Sequence, residues 1–140
     1  IRSDIGTLCV GCKTTFQRSS DLGRQMNQVF VGIPFGILRR KLKYLCEMNG
    51  IRYVEQEESY TSMASFWDLD EMPVYGEAGL VPPVFSGRRI CRGLYQDRSG
   101  RRINADVNGA LNIMRKCNIV SLRALYDRGD VDTPVRIRIA

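Results

Sequence analysis

One short stretch of this chain carries Pro73, Gly76, Gly79, Pro82, Pro83 and Gly87. Proline lacks the amide that a helix or sheet interior uses, and glycine loses the most backbone entropy when it is ordered. No long helix or strand can run through such a stretch, so regular structure must lie on either side of it. The segment from Ser59 to Arg102 therefore reads as an irregular insertion with small hairpins, its short extended pieces being Pro73–Tyr75 and Val84–Phe85.

Before the insertion, the apolar run Ile5 to Val10 reads as a buried strand, and the polar, basic stretch Gly11 to Gln28 as a loop. Pro34 opens a helix where its missing amide costs nothing. That helix runs to about Met48, with Leu38, Leu42 and Leu45 at helical spacing, and Asn49-Gly50 ends it. Ile51 to Glu57 reads as a second strand, in a strand–helix–strand order that predicts parallel pairing. After the insertion, Asn104 caps a helix whose Val107, Ala110, Leu111 and Met114 fall on one face. The tail Pro134 to Ile139 alternates apolar and charged residues, as an extended strand or arm does. These segments divide the chain at 1–58, 59–102 and 103–140.

The chain has 140 residues, 44% apolar and 26% charged, enough for one domain with a core. It has no apolar run long enough for a bilayer and no signal peptide at its start, so no membrane role is expected. Net charge is +6, from 21 basic against 15 acidic residues. A basic surplus favours polyanions, because neutralised phosphates release condensed counterions. The charge clusters at Arg39, Arg40, Lys41 and Lys43, and again at Arg88, Arg89, Arg92, Arg98, Arg101 and Arg102, where Tyr95 could stack on a base. The second cluster is all arginine, whose planar fork suits phosphate oxygens. A solvated basic surface explains the surplus equally well.

Cysteines stand at positions 9, 12, 46, 91 and 117. Their odd number and the lack of a secretory signal argue against a disulfide framework and for a reducing cytoplasm. Cys9 and Cys12 have zinc-knuckle spacing, but no second pair follows to close a structural site. With no histidine in the chain, histidine acid–base chemistry, Ser-His and Cys-His nucleophiles and His-bound metals are all excluded. Any catalysis must run on carboxylates.

Two acidic positions stand out. Glu57-Glu58 ends the second expected strand, and Asp106 lies in Ile103-Asn-Ala-Asp-Val-Asn-Gly-Ala-Leu-Asn-Ile113. A carboxylate at a strand's C-terminal end and one in a helix's first turn can converge, and convergent carboxylates without histidine suit Mg²⁺. Composition and spacing alone favour a plainer alternative: Asp106 complements the helix dipole, and the glutamates are surface charges.

Gln28-Val-Phe-Val-Gly-Ile-Pro-Phe35, Glu58-Ser-Tyr-Thr-Ser62 and Asn104-Ala-Asp-Val-Asn-Gly-Ala-Leu-Asn-Ile113 occur in the order and spacing of the TnpB (OrfB-type) proteins of insertion sequences. These are relatives of the type V CRISPR effectors, and the likeness extends to the closing Pro-Val-Arg-Ile-Arg. The resemblance implies the C-terminal half of an RNase H-like (RuvC) α/β domain. The asparagine-rich motif would be its third motif, with Asp106 the final catalytic, metal-binding Asp. It further implies a transposon-encoded, RNA-guided, Mg²⁺-dependent DNA endonuclease, with DNA and a guide RNA as partners.

Three departures from the family's pattern follow. Its first Asp, in a Gly-Ile-Asp strand, has no counterpart here, so the chain is expected to need a missing N-terminal half and not to cut alone. Gly11 stands where most members carry Glu, which leaves Glu58 or Glu57 as the substitute ligand. Glu58 is preferred because it adjoins the turn. In the family's zinc ribbon, Ser65 and Asp68 take the first cysteine pair's places and Cys91 is the sole candidate in the second, so no zinc is expected. The rival reading is a non-catalytic nucleic-acid-binding remnant. A purely structural zinc module fails on ligand count.

Overall fold

The computed structural model describes residues 5–12, 34–74, 83–119, 121–122 and 125–126. The expected loop after Cys12, the Gln28–Ile33 part of the first motif, Tyr75 and the Pro134–Ile139 arm lie outside the described residues. The chain divides into two compact units, Ile1–Gln56 and Glu57–Ala140.

In the first unit, β1 (Thr7–Cys12) and β2 (Arg52–Glu57) pair as a two-stranded sheet, and α1 (Phe35–Met48) lies between them in sequence. Pro34 sits at the N-cap, one residue ahead of the first helical position expected for it, and its carbonyl accepts the amides of Ile37 and Leu38. Asn49 and Gly50 close the helix, Gly50 with positive φ. β1 begins two residues later than expected and continues through Gly11 and Cys12. Pairing with β2 sustains a strand past a glycine that pattern alone reads as a break. The stripe on α1 is not a buried seam: Leu38 and Leu45 are exposed, and Cys46 is the buried residue of the helix.

The second unit holds β3 (Arg88–Cys91), β4 (Leu94–Gln96) and β5 (Arg102–Asn104), an antiparallel sheet in the order β3-β4-β5. β5 leads directly into α2 (Ala105–Cys117). The sheet thus crosses the boundary expected at 102 and ties the insertion to the helix that follows it. Phe66, Tyr95, Ile103, Ala105, Leu111 and Leu122 form the core, with Phe66 stacked on Tyr126 at 4.7 Å and edge-on to Trp67 at 5.2 Å. Burying such aromatic area is what lets short strands and one helix hold together. Tyr95 carries a polar tip into this core and donates it to the Met63 carbonyl at 2.8 Å. Burial, with Asp70, Asp68 and Asp97 nearby, pushes its hydroxyl up to about 12, so it stays protonated and remains a donor.

The segment entering β3 passes close over this tyrosine. A Cβ at Gly87 would stand 2.6 Å from the Tyr95 ring and hydroxyl and 2.7 Å from the Gln96 carbonyl oxygen, which is backbone and cannot swing aside. Gly87→Ala is expected to destabilise this unit by about 1–3 kcal/mol, the usual cost of overpacking. Thermal unfolding followed by near-UV circular dichroism checks this, and an unchanged midpoint would show that the approach is not that tight.

Cys12, Cys46 and Cys91 are free thiols.

Candidate nucleic-acid interface and carboxylate site

The asparagine-rich motif resolves into two kinds of residue. Asn104 caps α2: its Oδ1 accepts the amides of Asp106 at 2.9 Å and Val107 at 3.2 Å. Asn108 and Asn112, four residues apart and so on one helix face, are fully buried. Asn108 accepts the Phe66 amide at 3.1 Å and donates to the Ala64 carbonyl at 2.9 Å. Asn112 donates to the carbonyls of Thr61 at 2.9 Å and Ala64 at 2.8 Å. Together they hold the irregular Thr61–Phe66 backbone, whose polar groups no helix or sheet satisfies.

Asp106 is on the other side of the helix. Two residues from Asn108 it is turned by about 200°, and its side chain is 90% exposed. Its nearest ionic neighbour is Arg89, whose Nη2 lies 3.9 Å from Oδ1. β-Sheet alternation explains why Arg89 comes there. Arg89 pairs with Tyr95, which pairs with Ile103, so all three are on the face toward α2. Arg88 and Arg102 both pair with Gln96 and belong to the opposite face. The arginines that read as one cluster in sequence are therefore split between two surfaces.

The remaining basic positions separate further. Arg92 is exposed in the β3–β4 turn, and Arg98 is exposed after β4. The Arg101 guanidinium lies 4.2 Å from the centre of the Trp67 ring, a cation–π contact that engages it in packing. Arg39, Arg40, Lys41 and Lys43 belong to α1 of the other unit, and Arg39 meets Glu55 there at 3.4 Å. Both partners of that pair are exposed, so it adds little to stability.

Of the glutamates, Glu57 is taken up by the fold. Its carboxylate accepts Lys116 Nζ at 2.7 Å and the Ser59 amide at 2.5 Å. Burial pushes its pKa up, but the Lys116 ammonium and the Ser59 amide outweigh this and hold it below the usual carboxylate range. Lys116 is ten residues beyond Asp106 on α2, about 15 Å along the axis at the rise of an α-helix. Glu58 is half-buried, and its carbonyl accepts both the amide and the hydroxyl of Thr61 at 3.2 and 2.9 Å. Among the described residues, no group of three Asp, Glu or Cys side chains is placed to hold a metal ion.

Two carboxylates absent from the expected site organise the insertion. Asp70 accepts the Ser65 amide at 2.8 Å, the Ser86 amide at 3.0 Å and the Ser86 hydroxyl at 2.6 Å. Asp68 accepts the Arg98 amide at 3.0 Å. Burial works against the Asp68 carboxylate, but the hydroxyls of Ser65 and Ser86 and the Arg98 amide keep its pKa low. The Ser65 hydroxyl in turn accepts the Asp68 amide at 3.2 Å. Sequence offered one signal for this: oxygen ligands of amides, Ser65 and Asp68, where a ribbon would carry thiolates.

No curated protein and no solved structure matches the chain. Residues 35–113, more than half of the chain, match the family described as Cas12f1-like, TNB domain. That span runs from the start of α1 to Ile113, taking in Arg89, Asp106 and both buried asparagines. The chain belongs to the Cas12f1-like TNB-domain family.

Proposed function

We propose that this chain is part of an RNA-guided, Mg²⁺-dependent DNA endonuclease of the TnpB kind. It would form the C-terminal half of an RNase H-like (RuvC) domain, with Asp106 as the last catalytic carboxylate. The division of labour within the asparagine-rich motif carries this reading. Each asparagine is engaged in capping or in holding backbone, whereas Asp106 is solvent-facing and serves no packing need. Family membership adds nucleic acid as the general class of partner, with DNA and guide RNA as the specific pair proposed here.

The chemistry of Asp106 suits a hard cation, since it offers exposed carboxylate oxygens. Bound Mg²⁺ would activate water and stabilise the leaving oxygen of a phosphodiester. Glu58 is the second ligand proposed from this chain, Glu57 being committed to Lys116. The first Asp would come from the upstream half. No zinc is proposed in the insertion, where Ser65 and Asp68 accept backbone amides and Cys91 is the lone thiolate candidate. Arg89, next to Asp106, can hold a phosphate oxygen at the carboxylate. Arg88, Arg92 and Arg102 can meet the backbone further along.

Phosphate contacts without base reading predict steep salt dependence and little sequence preference. Arg88→Ala, Arg89→Ala and Arg92→Ala combined should weaken binding to single-stranded oligonucleotides alike for all sequences. The slope of log affinity against log salt should fall by roughly two, the share of three phosphate contacts on a single strand. Fluorescence anisotropy between low and moderate salt measures this. Salt-independent binding, or none at low salt, would sink the nucleic-acid assignment.

A further inference from the structure

We propose that Asp68 and Asp70 are positioning residues, which hold the arginine-bearing strand β3 beside Asp106 so that a nucleic-acid backbone is presented to that carboxylate. This rests on the function proposed above and assigns the insertion its part in it. Ser86 lies two residues before β3, and Arg98 lies in the turn between β4 and β5. The sheet is therefore tied at both places to the 65–70 loop, through Asp70 and Asp68. That loop adjoins the backbone held by Asn108 and Asn112, on the helix that carries Asp106. The ties form a closed circuit, from α2 through the buried asparagines to the loop, through two aspartates to the sheet, and back through Arg89 to Asp106.

The circuit matters because β3 is an edge strand with a bulge between Arg89 and Cys91, and all four of its residues are exposed. Among the described residues one side of it has no strand partner, and it buries no side chain of its own. Its place relative to α2 depends on β4 and on these carboxylate–amide bonds, which are stronger than neutral ones. A single carboxylate that gathers three donors from two segments does the mechanical work of a crosslink. Asp70→Ala removes both oxygens, the one that accepts the Ser65 and Ser86 amides and the one that accepts the Ser86 hydroxyl, and so opens the tie.

The test is a double-mutant cycle on the 140-residue chain, with Asp70→Ala and Arg89→Ala, read as affinity for a single-stranded oligonucleotide at a temperature where circular dichroism shows both variants folded. Asp70→Ala should lower affinity about tenfold, and Arg89→Ala should then cost far less than it does in the wild-type background. Ser86→Ala removes only the hydroxyl arm and should give the same coupling at smaller size. Additive effects would overturn the proposal, because a loss of stability alone does not couple to one arginine. If the wild-type chain binds no oligonucleotide, the functional reading beneath has failed. Amide exchange then decides the tie itself: Asp68→Ala and Asp70→Ala should speed exchange at Ser86, Arg98 and Tyr95, and unchanged rates would refute it.

Discussion

Asn108→Ala is expected to destabilise the 57–140 unit by about 2–4 kcal/mol, a large share of what holds a small domain folded. The reason is asymmetric. The Ala64 carbonyl keeps its bond from Asn112, but the Phe66 amide has Asn108 as its acceptor and is left buried without one. A cavity where the fully buried side chain stood adds to the cost. Asn112→Ala should cost less, because the Thr61 hydroxyl and amide still fix that turn through Glu58. Asp106→Ala, two residues from Asn108 in the same motif, should cost under about 1 kcal/mol, the value of a carboxylate in a helix's first turn. Urea unfolding of the three variants compares them directly. Equal losses at Asn108 and Asp106 would mean that the motif is structural throughout, and Asp106 would lose its claim to a chemical role.

That contrast also marks where the sequence was legible. Helix α1, strand β2 and helix α2 follow from periodicity and from end signals: Pro34 and Asn49-Gly50 for one helix, Asn104 for the other. Such signals are local, so a linear reading finds them. What holds the insertion is not local. Asp70 and Ser86 are sixteen residues apart, and Phe66 and Asn108 forty-two. Proline and glycine announce an irregular segment without saying what satisfies its backbone. The arginines from 88 to 102 were visible as charge, but strand register separates Arg89 from Arg88 and Arg102, and Trp67 engages Arg101. Glu57 and Glu58 were indistinguishable in sequence apart from alternation. The lysine that occupies Glu57 is fifty-nine residues away.

Asp106→Asn should lower DNA cleavage by at least about a hundredfold when this chain acts together with the upstream half of the proposed RuvC-like domain. Asparagine keeps the shape and the helix cap from Asn104, but it replaces an anionic oxygen by a neutral amide, and a hard divalent cation is held by charge as much as by geometry. Oligonucleotide affinity at fixed salt should not fall, since no phosphate contact is removed. It should rise slightly, because Arg89 loses its carboxylate neighbour and gains freedom to pair with phosphate. The two glutamates should then separate by kind of defect. Glu58→Gln should lose cleavage and keep its unfolding midpoint. Glu57→Gln should keep cleavage while folded and unfold earlier, because Lys116 is left mostly buried without its anion. Cleavage by Asp106→Asn at the wild-type rate would remove the carboxylate from the reaction and leave a protein that binds nucleic acid without cutting it. A loss of cleavage confined to Glu57→Gln would place the second ligand at the residue that the fold already pairs with lysine.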